Sequence, residues 1–297
     1  MVLRRALLSP KLILPGALIL LMSAGAVAGG GAFAQSRQRF LRQNTASNCQ
    51  LQTGGESTVL AIAGPQTLHL ADGRFVRLAE ILVPAAAPGG FDPSLAAATY
   101  LRQTALGRKV EVKFGGTQRD RYGVYVGHIF VAGEQPVWLQ EGLAASGFAT
   151  VFPQADNHAC AQQLLASEAA ARNEKRGHWG LAYFKVLQAR DPRSILNLVQ
   201  TYQIVEGIAG NATESGGRIT LNFGGENKFG FTAIIEPAVK KRFADKQTPE
   251  SWKGQALRIR GWIDRKRGPS ISVSQPEQIE FLSQNSAAPQ SEPQEPQ

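Results

Sequence analysis

Alternation of apolar and polar positions divides the stretch from residue 57 to residue 131 into strands. Ser57–Ala63, Gln66–Ala71 and Arg74–Val83 each read as β-type runs, punctuated by Gly64-Pro65 and Asp72-Gly73. An Asp-Gly pair between two alternating runs is a strong hairpin signal. In the third run Phe75, Arg77, Ala79, Ile81 and Val83 share one parity. A straight strand there is predicted to point Arg77 the same way as core residues and Glu80 the opposite way. Ser94 is placed to cap a helix that runs to about Leu106 and stops at Gly107. Lys109–Phe114 and Val124–Val131 are two more strands, joined by the charged turn Arg119-Asp120-Arg121-Tyr122-Gly123. Two helical segments follow. Residues 136–147 carry Val137, Leu139 and Leu143; residues 158–176 carry Leu164, Leu165 and Ala169 on one face, with Glu168 and Arg172 at i,i+4 spacing. Gly177 ends the second, and His178-Trp179-Gly180 closes the domain.

The pattern then repeats. Residues 186–200, broken by Asp191-Pro192, read as a connector. Tyr202–Ala209, Arg218–Phe223 and Phe229–Glu236 are three strands, with turns at Asn211–Gly217 and Gly224-Gly225. Pro237–Lys246 is a short helix, and Ala256–Ile263, Ser270–Val273 and Gln278–Leu282 complete the run. Three strands, a helix and two strands is the order of the five-stranded OB barrel. The expected fold class is therefore mainly β with helices (α+β), two OB-type five-stranded barrels. The expected divisions are a signal at 1–34, a polar lead-in at 35–56, a first barrel domain at 57–185, the connector, a second barrel domain at 201–283, and a disordered tail at 284–297. The tail is dominated by Pro, Gln, Ser and Glu.

Composition changes this picture at the N-terminus. A basic start precedes the apolar run Leu12–Leu21 and small residues ending Ala32-Phe33-Ala34, the layout of a secretory signal cleaved after Ala34. The same uncharged stretch is long enough to anchor the chain in a bilayer. Gly25 and Gly29-Gly30-Gly31 make its second half a poor membrane helix. The reading is an exported protein, periplasmic or secreted, with no stable transmembrane segment once processed. Net charge is +9, and residues 1–34 contribute Arg4, Arg5 and Lys11 with no acid, leaving +6. That is a mild attraction to polyanions without choosing among them. In an oxidising compartment the two cysteines, Cys49 and Cys160, pair. Chain-entropy models give such a loop about 4–5 kcal/mol; the competing reading is two free buried thiols.

Candidate chemistry is sparse. Arg77 cannot deprotonate at ordinary pH and, where partly buried, needs an anion nearby. The alternative is a half-exposed arginine on a strand edge. His69, His128, His158 and His178 lie far apart in the chain, without a close ligand pair, and read as half-exposed strand or loop residues. Nucleophile motifs and a phosphate-cradling Gly-rich loop before a helix are absent. In the second domain Leu257, Ile259 and Ile263 face one way, and Arg258, Arg260 and Trp262 the other. The tip Arg265-Lys266-Arg267 extends that face, in the manner of single-strand-binding OB barrels. The plainer reading is a solvated strand face with a charged hairpin tip.

Val76-Arg77-Leu78…Pro84, Asp120-Arg121-Tyr122-Gly123, Gly142-Leu143-Ala144 and Leu165…Ser167-Glu168-Ala169…Ala171-Arg172…Gly177-His178-Trp179 occur in the order of one family. On these pieces the first domain resembles the staphylococcal-nuclease-like (thermonuclease) family. The resemblance implies a calcium ion held by aspartates, a glutamate that orients water, and two arginines on the phosphate. Calcium takes oxygen ligands and the guanidiniums stabilise an anionic transition state. This sequence keeps only Arg77 of that set, with Asp120 and Tyr122 of the neighbouring turn. The two aspartate positions hold Gln66 and Leu82, the glutamate position Ala85, and the second arginine position Val124. Glu80 is the nearest acid, on the face opposite Arg77, and Asp92 is the loop acid with reach to the site.

The expected function is binding of nucleic acid or another anionic polymer, without catalysis and without a cofactor. Arg77, Arg119, Asp120, Arg121 and Tyr122 form one candidate site; Arg258, Arg260, Trp262, Arg265, Lys266 and Arg267 form a second. The alternatives are a calcium-dependent nuclease with a rearranged site and a protein-interaction scaffold of the envelope.

Overall fold

A computed structural model describes residues 49–86, 90–224, 229–243 and 249–282. The signal, most of the lead-in, part of the loop after Ala86, the end of the 237–246 helix and the tail lie outside the described residues. Among the described residues no helix is long and apolar enough to cross a membrane.

The first barrel is built on β1 (Gln52–Gly64), which pairs with β5 (Lys109–Phe114) through its first half and β2 (Thr67–Leu70) through its second. Register shifts between Thr53 and Glu56 and between Val59 and Ala61 bend it enough to serve both neighbours. β2 pairs with β3 (Phe75–Leu78), and β3 runs parallel to β6 (Tyr125–Val131), which returns to β5. The five strands thus close on themselves around Val59, Leu68, Leu70, Val76, Leu78, Val112 and Ile129. Helix α1 (Pro93–Ala105) lays Pro93, Ala97, Leu101 and Ala105 along one face, a four-residue spacing that buries a single stripe. Its cap is Asp92, not Ser94: the Asp92 carboxylate accepts the Ser94 N–H at 2.8 Å and the Leu95 N–H at 3.3 Å.

The Arg74–Val83 run is not one strand. β3 stops at Leu78, Glu80 takes φ 62°, and the chain resumes as β4 (Ile81–Leu82), paired with β8 (Thr150–Val151) outside the barrel. Val76 and Leu78 supply the core face of β3, while Phe75 is half-exposed and Arg77 partly so. Arg77 therefore does not share the core face as the parity predicted, because the core residues of β3 have the other parity. Glu80, beyond the end of β3, is fully buried.

β7 (Val137–Trp138) occupies the start of the segment expected to be helical, before α2 (Leu139–Ala145). α3 (Ala161–Asn173) buries Ala161, Leu164, Glu168 and Ala171, a stripe rotated from the expected apolar face. Cys49 and Cys160 form a disulfide with Cα atoms 4.9 Å apart, tying the chain before β1 to the start of α3.

Residues 186–200 belong to the second barrel instead of forming a free connector. β9 (Leu187–Gln188) pairs in parallel with β10 (Tyr202–Ile208), and Ile195 of α4 (Pro192–Leu196) is buried in the second core. β10 pairs with β14 (Ala256–Arg265); past Ala209-Gly210 the chain continues as β11 (Asn211–Ser215) against β12 (Arg218–Asn222). The segment expected as a turn is thus mostly strand, and Gly216-Gly217, both at positive φ, make the turn itself. β12 pairs with β13 (Thr232–Ile235), which runs parallel to β15 (Pro269–Val273), and β15 returns to β14. α5 (Pro237–Lys240) and α6 (Pro249–Trp252) lie between β13 and β14, and β16 (Ile279–Phe281) flanks β14. Both curled sheets place their third strand parallel to their fifth, so the chain carries one OB-like plan twice.

Candidate functional site

The turn after β5 sets the first candidate site. Asp120 Oδ1 accepts the N–H groups of Tyr122 (2.9 Å) and Val124 (3.1 Å), folding the turn on its own side chain. Its other oxygen meets Arg77 Nη2 at 3.0 Å. Arg77 thus has its anion, and that anion is supplied by the protein. On the opposite strand Thr67 pairs with Arg77, and the adjacent Gln66 uses Oε1 to accept the Val83 N–H at 2.9 Å. The fold therefore does bring Gln66 to the segment that carries Leu82 and Ala85. Those two residues line an apolar cleft of about 270 Å³ between the barrels, walled by Pro84, Tyr202 and Trp262. A carboxylate facing that cleft would lose solvation against mainly apolar walls, with the exposed Lys185 the one Lys or Arg among the lining residues. Asp92 is occupied as the α1 cap.

Beside Arg77, an open hollow of about 450 Å³ lies between the β2–β3 hairpin and the charged turn, lined by Arg74, Phe75, Arg119, Tyr122 and Tyr125 among others. The Arg119 guanidinium sits 4.0 Å over the Tyr125 ring and donates to the Gly123 carbonyl at 3.1 Å and to Tyr125 Oη. Arg74 approaches the same ring to 5.7 Å and pairs with Asp72 at 2.7 Å. Its hydrogen bonds hold the Asp72 carboxyl down to about 2. Arg121 stacks 4.8 Å over Tyr122, which is 74% exposed, and Phe75 stacks on His69 at 4.3 Å. Among the described residues no carboxylate pairs with Arg119 or Arg121. The hollow therefore combines Arg119, which no carboxylate neutralises, and Arg74, which Asp72 of the same wall does, with the rings of Phe75, Tyr122 and Tyr125. Arg77 is absent from its walls, so the predicted set divides: Arg119 and Tyr122 face it, Arg121 stacks beside it, and Arg77 is neutralised behind.

The second predicted set is also divided. Leu257, Ile259 and Ile263 are buried as expected, but the other face of β14 is covered by α3 of the first barrel. Arg260 is fully buried, paired with Glu168 (2.9 and 3.2 Å) and Glu280 (2.6 Å), and it donates to the Val151 carbonyl at 3.1 Å. Burial alone would weaken the Arg260 charge; the carboxylates of Glu168 and Glu280 outweigh it and hold the proton above the usual arginine range. Arg258 is shared by Glu206 at 2.5 Å and Glu280 at 3.1 Å. Burial would raise the Glu280 carboxyl, but Arg260 and Arg258 prevail and lower it. Arg258 and Arg260 are thus structural and leave the ligand face. Trp262, half-exposed, meets Tyr202 edge-on at 5.9 Å, and Arg265, Lys266 and Arg267 are exposed at the hairpin tip. Lys266 lies 3.7 Å from Asp264.

Two histidines depart from expectation. His178 is buried, its Nδ1 donating to the Gly147 carbonyl at 2.6 Å and its Nε2 lying 3.3 Å from Thr150 Oγ1. Burial pushes its pKa down to about 4. His128 is fully buried, 3.3 Å from Glu80. No local sequence signal pairs either with its neighbours, which are 28 to 48 positions away.

A closed barrel of this strand order, with helices after its third and fifth strands and an arginine on the third, defines a staphylococcal-nuclease-like OB domain. Residues 76–180 match the family model described as staphylococcal nuclease homologue. No curated protein matches the chain.

Proposed function

We propose that this protein is an exported nuclease homologue that binds single-stranded nucleic acid, or a similar anionic polymer, and does not cut it. The observation that carries the reading is the fate of Asp120. It is the one carboxylate beside Arg77 among the described residues, and it is spent on that guanidinium and on two turn amides. A metal ion would have to compete with Arg77 for it, and Gln66, Leu82 and Ala85 bring no second negative charge. Loss of a single charge-stabilising group costs about 10²–10³ in rate, and here several are replaced. The hollow lined by Arg119, Tyr122, Tyr125 and Phe75, with Arg121 beside it, has what a single strand needs: guanidiniums for phosphate and ring faces for bases. The exposed Arg265-Lys266-Arg267 tip adds charge on the second barrel. The N-terminal pattern and the disulfide support export.

Two measurements on the purified protein test this. Fluorescence anisotropy with a labelled single-stranded oligonucleotide should report binding that weakens steeply with salt. Incubation of DNA and RNA with calcium, with and without chelator, should leave both intact. Salt-independent binding removes the ligand assignment. Chelator-sensitive cutting establishes the calcium-dependent nuclease instead, and a stoichiometric protein partner with no polyanion binding establishes the scaffold.

A further inference from the structure

Beneath the disulfide lies a group of buried side chains that the polyanion reading does not use. Glu80, His128 and Cys160 each place a ligand atom within 4.8 Å of the other two, and all three are buried. The arrangement comes from three separate devices. The positive φ of Glu80 ends β3 and turns its side chain inward. β6 presents His128 from the barrel wall. The start of α3 presents Cys160, whose N–H donates to Glu80 Oε1 at 3.1 Å. Cys49 adds a second sulfur, bonded to the first.

The polar atoms of this group are poorly served. Glu80 Oε2 and both ring nitrogens of His128 are buried without a hydrogen-bond partner. His128 Nε2 is 3.3 Å from Glu80 Oε1 but lacks the alignment of a hydrogen bond. Buried groups left unsatisfied are destabilising, so their place in a core of aliphatic and aromatic side chains calls for a reason. Gly115 packs closely on the ring: a Cβ there would lie 3.4 Å from His128 Nε2 and 3.1 Å from both Ala159 and Leu51, so a larger residue would crowd the group.

We propose that, with the disulfide reduced, Cys49, Cys160, His128 and Glu80 bind one zinc ion. Two thiolates, an imidazole and a carboxylate make a tetrahedral set of the kind zinc prefers. Ligands around tetrahedral zinc sit roughly 3.5 Å apart, so the two sulfurs, about 2 Å apart while bonded, must part by roughly 1.5 Å on reduction, and the other ligand atoms must close by on the order of 1 Å. The chemistry balances with a dithiol as reductant. The protein disulfide takes two electrons and two protons and becomes two thiols, while the dithiol becomes a disulfide. Zinc then displaces the two thiol protons to solvent, and oxidation reverses the sequence by expelling the ion. The site would tie the start of β1 to α3 in the reduced protein, as the disulfide does in the oxidised one.

The test is titration of the reduced protein with cobalt(II), a spectroscopic stand-in for zinc, under anaerobic conditions. One equivalent should bind with a thiolate-to-cobalt charge-transfer band and the intense visible bands of a tetrahedral site; the oxidised protein should show neither. His128→Ala should weaken binding by more than the roughly 10–100-fold lost with an outer-sphere partner, and Cys160→Ser should abolish the charge-transfer band or reduce it to that of one thiolate. His69→Ala, a histidine elsewhere on the barrel, should change nothing. Where the reduced apoprotein is unfolded, zinc should restore its native circular dichroism. Failure of the reduced protein to take up cobalt, a spectrum without the thiolate band, equal affinity in His128→Ala, or failure of zinc to refold an unfolded reduced chain would each overturn the proposal.

Discussion

Arg260 projects from β14 of the second barrel and Glu168 from α3 of the first, and they meet through two hydrogen bonds of 2.9 and 3.2 Å with neither side chain reaching solvent. Glu168 Oε2 also accepts the Val151 N–H at 2.6 Å, while Arg260 donates to the Val151 carbonyl. One backbone position of the nuclease-like domain is thereby held by a pair that spans both barrels. Arg172, Glu280, Arg258 and Glu206 extend it into a network of three guanidiniums and three carboxylates. The barrels are joined by charge as well as by apolar contact.

Removing Arg260 should be costly, and removing its partner as well should not undo the loss. Arg260→Met takes from Glu168 and Glu280 the guanidinium they share and should cost roughly 3–5 kcal/mol; adding Glu168→Met should recover only part of that, because Glu168 also holds Arg172 and the Val151 N–H. Urea unfolding of both variants checks it.

Acid should loosen the first domain in a defined window. His178 titrates near 6.5 when unfolded and about 4 when folded, so between these values the unfolded chain binds the extra proton and stability falls as pH falls. The loss approaches roughly 3 kcal/mol below pH 4. Glu280, lowered from 4.5, adds a further loss of the same sign below that value. Urea unfolding at pH 7 and pH 5 should show the His178 effect, and His178→Gln should flatten it.

Ligand affinity should map to the hollow and not to β14. Arg119→Ala should weaken single-strand binding and reduce the salt slope by about one unit. Tyr122→Ala should cost about 1–3 kcal/mol if a base stacks on it, with little change in slope. Arg258→Ala should lower stability instead, leaving the affinity of the folded protein unchanged. Anisotropy across a salt series separates these outcomes.

Restoring the family's groups should restore chemistry only as a set. Gln66→Asp, Leu82→Asp, Ala85→Glu and Val124→Arg together should yield calcium-dependent cleavage, whereas Val124→Arg alone should not. A gel assay of DNA digestion with and without chelator reads this directly. The fourfold variant should also be less stable, because Gln66 gives up its Val83 contact and two carboxylates enter an apolar cleft.

Much of the fold was legible because its signals are local. The Asp72-Gly73 hairpin, the helix stop at Gly107, the alternation in β14 and the repeated strand order each depend on residues a few positions apart. The resemblance to the nuclease-like family was carried by separate short pieces in order. What failed was any inference that needed to know what lay opposite. The parity of Arg74–Val83 assumed an unbroken strand, and the turn at Glu80 detached its second half. Arg258 and Arg260 had the spacing of a binding face, but α3 covers it with Glu168, 92 positions before Arg260 in the chain.

By itself the sequence determined the two barrel plans and the cysteine pair, since each is a matter of residue identity and short-range periodicity. Only the tertiary structure decided which charges are free to meet a ligand. Whether a guanidinium is neutralised by Asp120, sealed against Glu168, or left open beside Tyr122 depends on contacts between distant segments, which linear spacing does not encode.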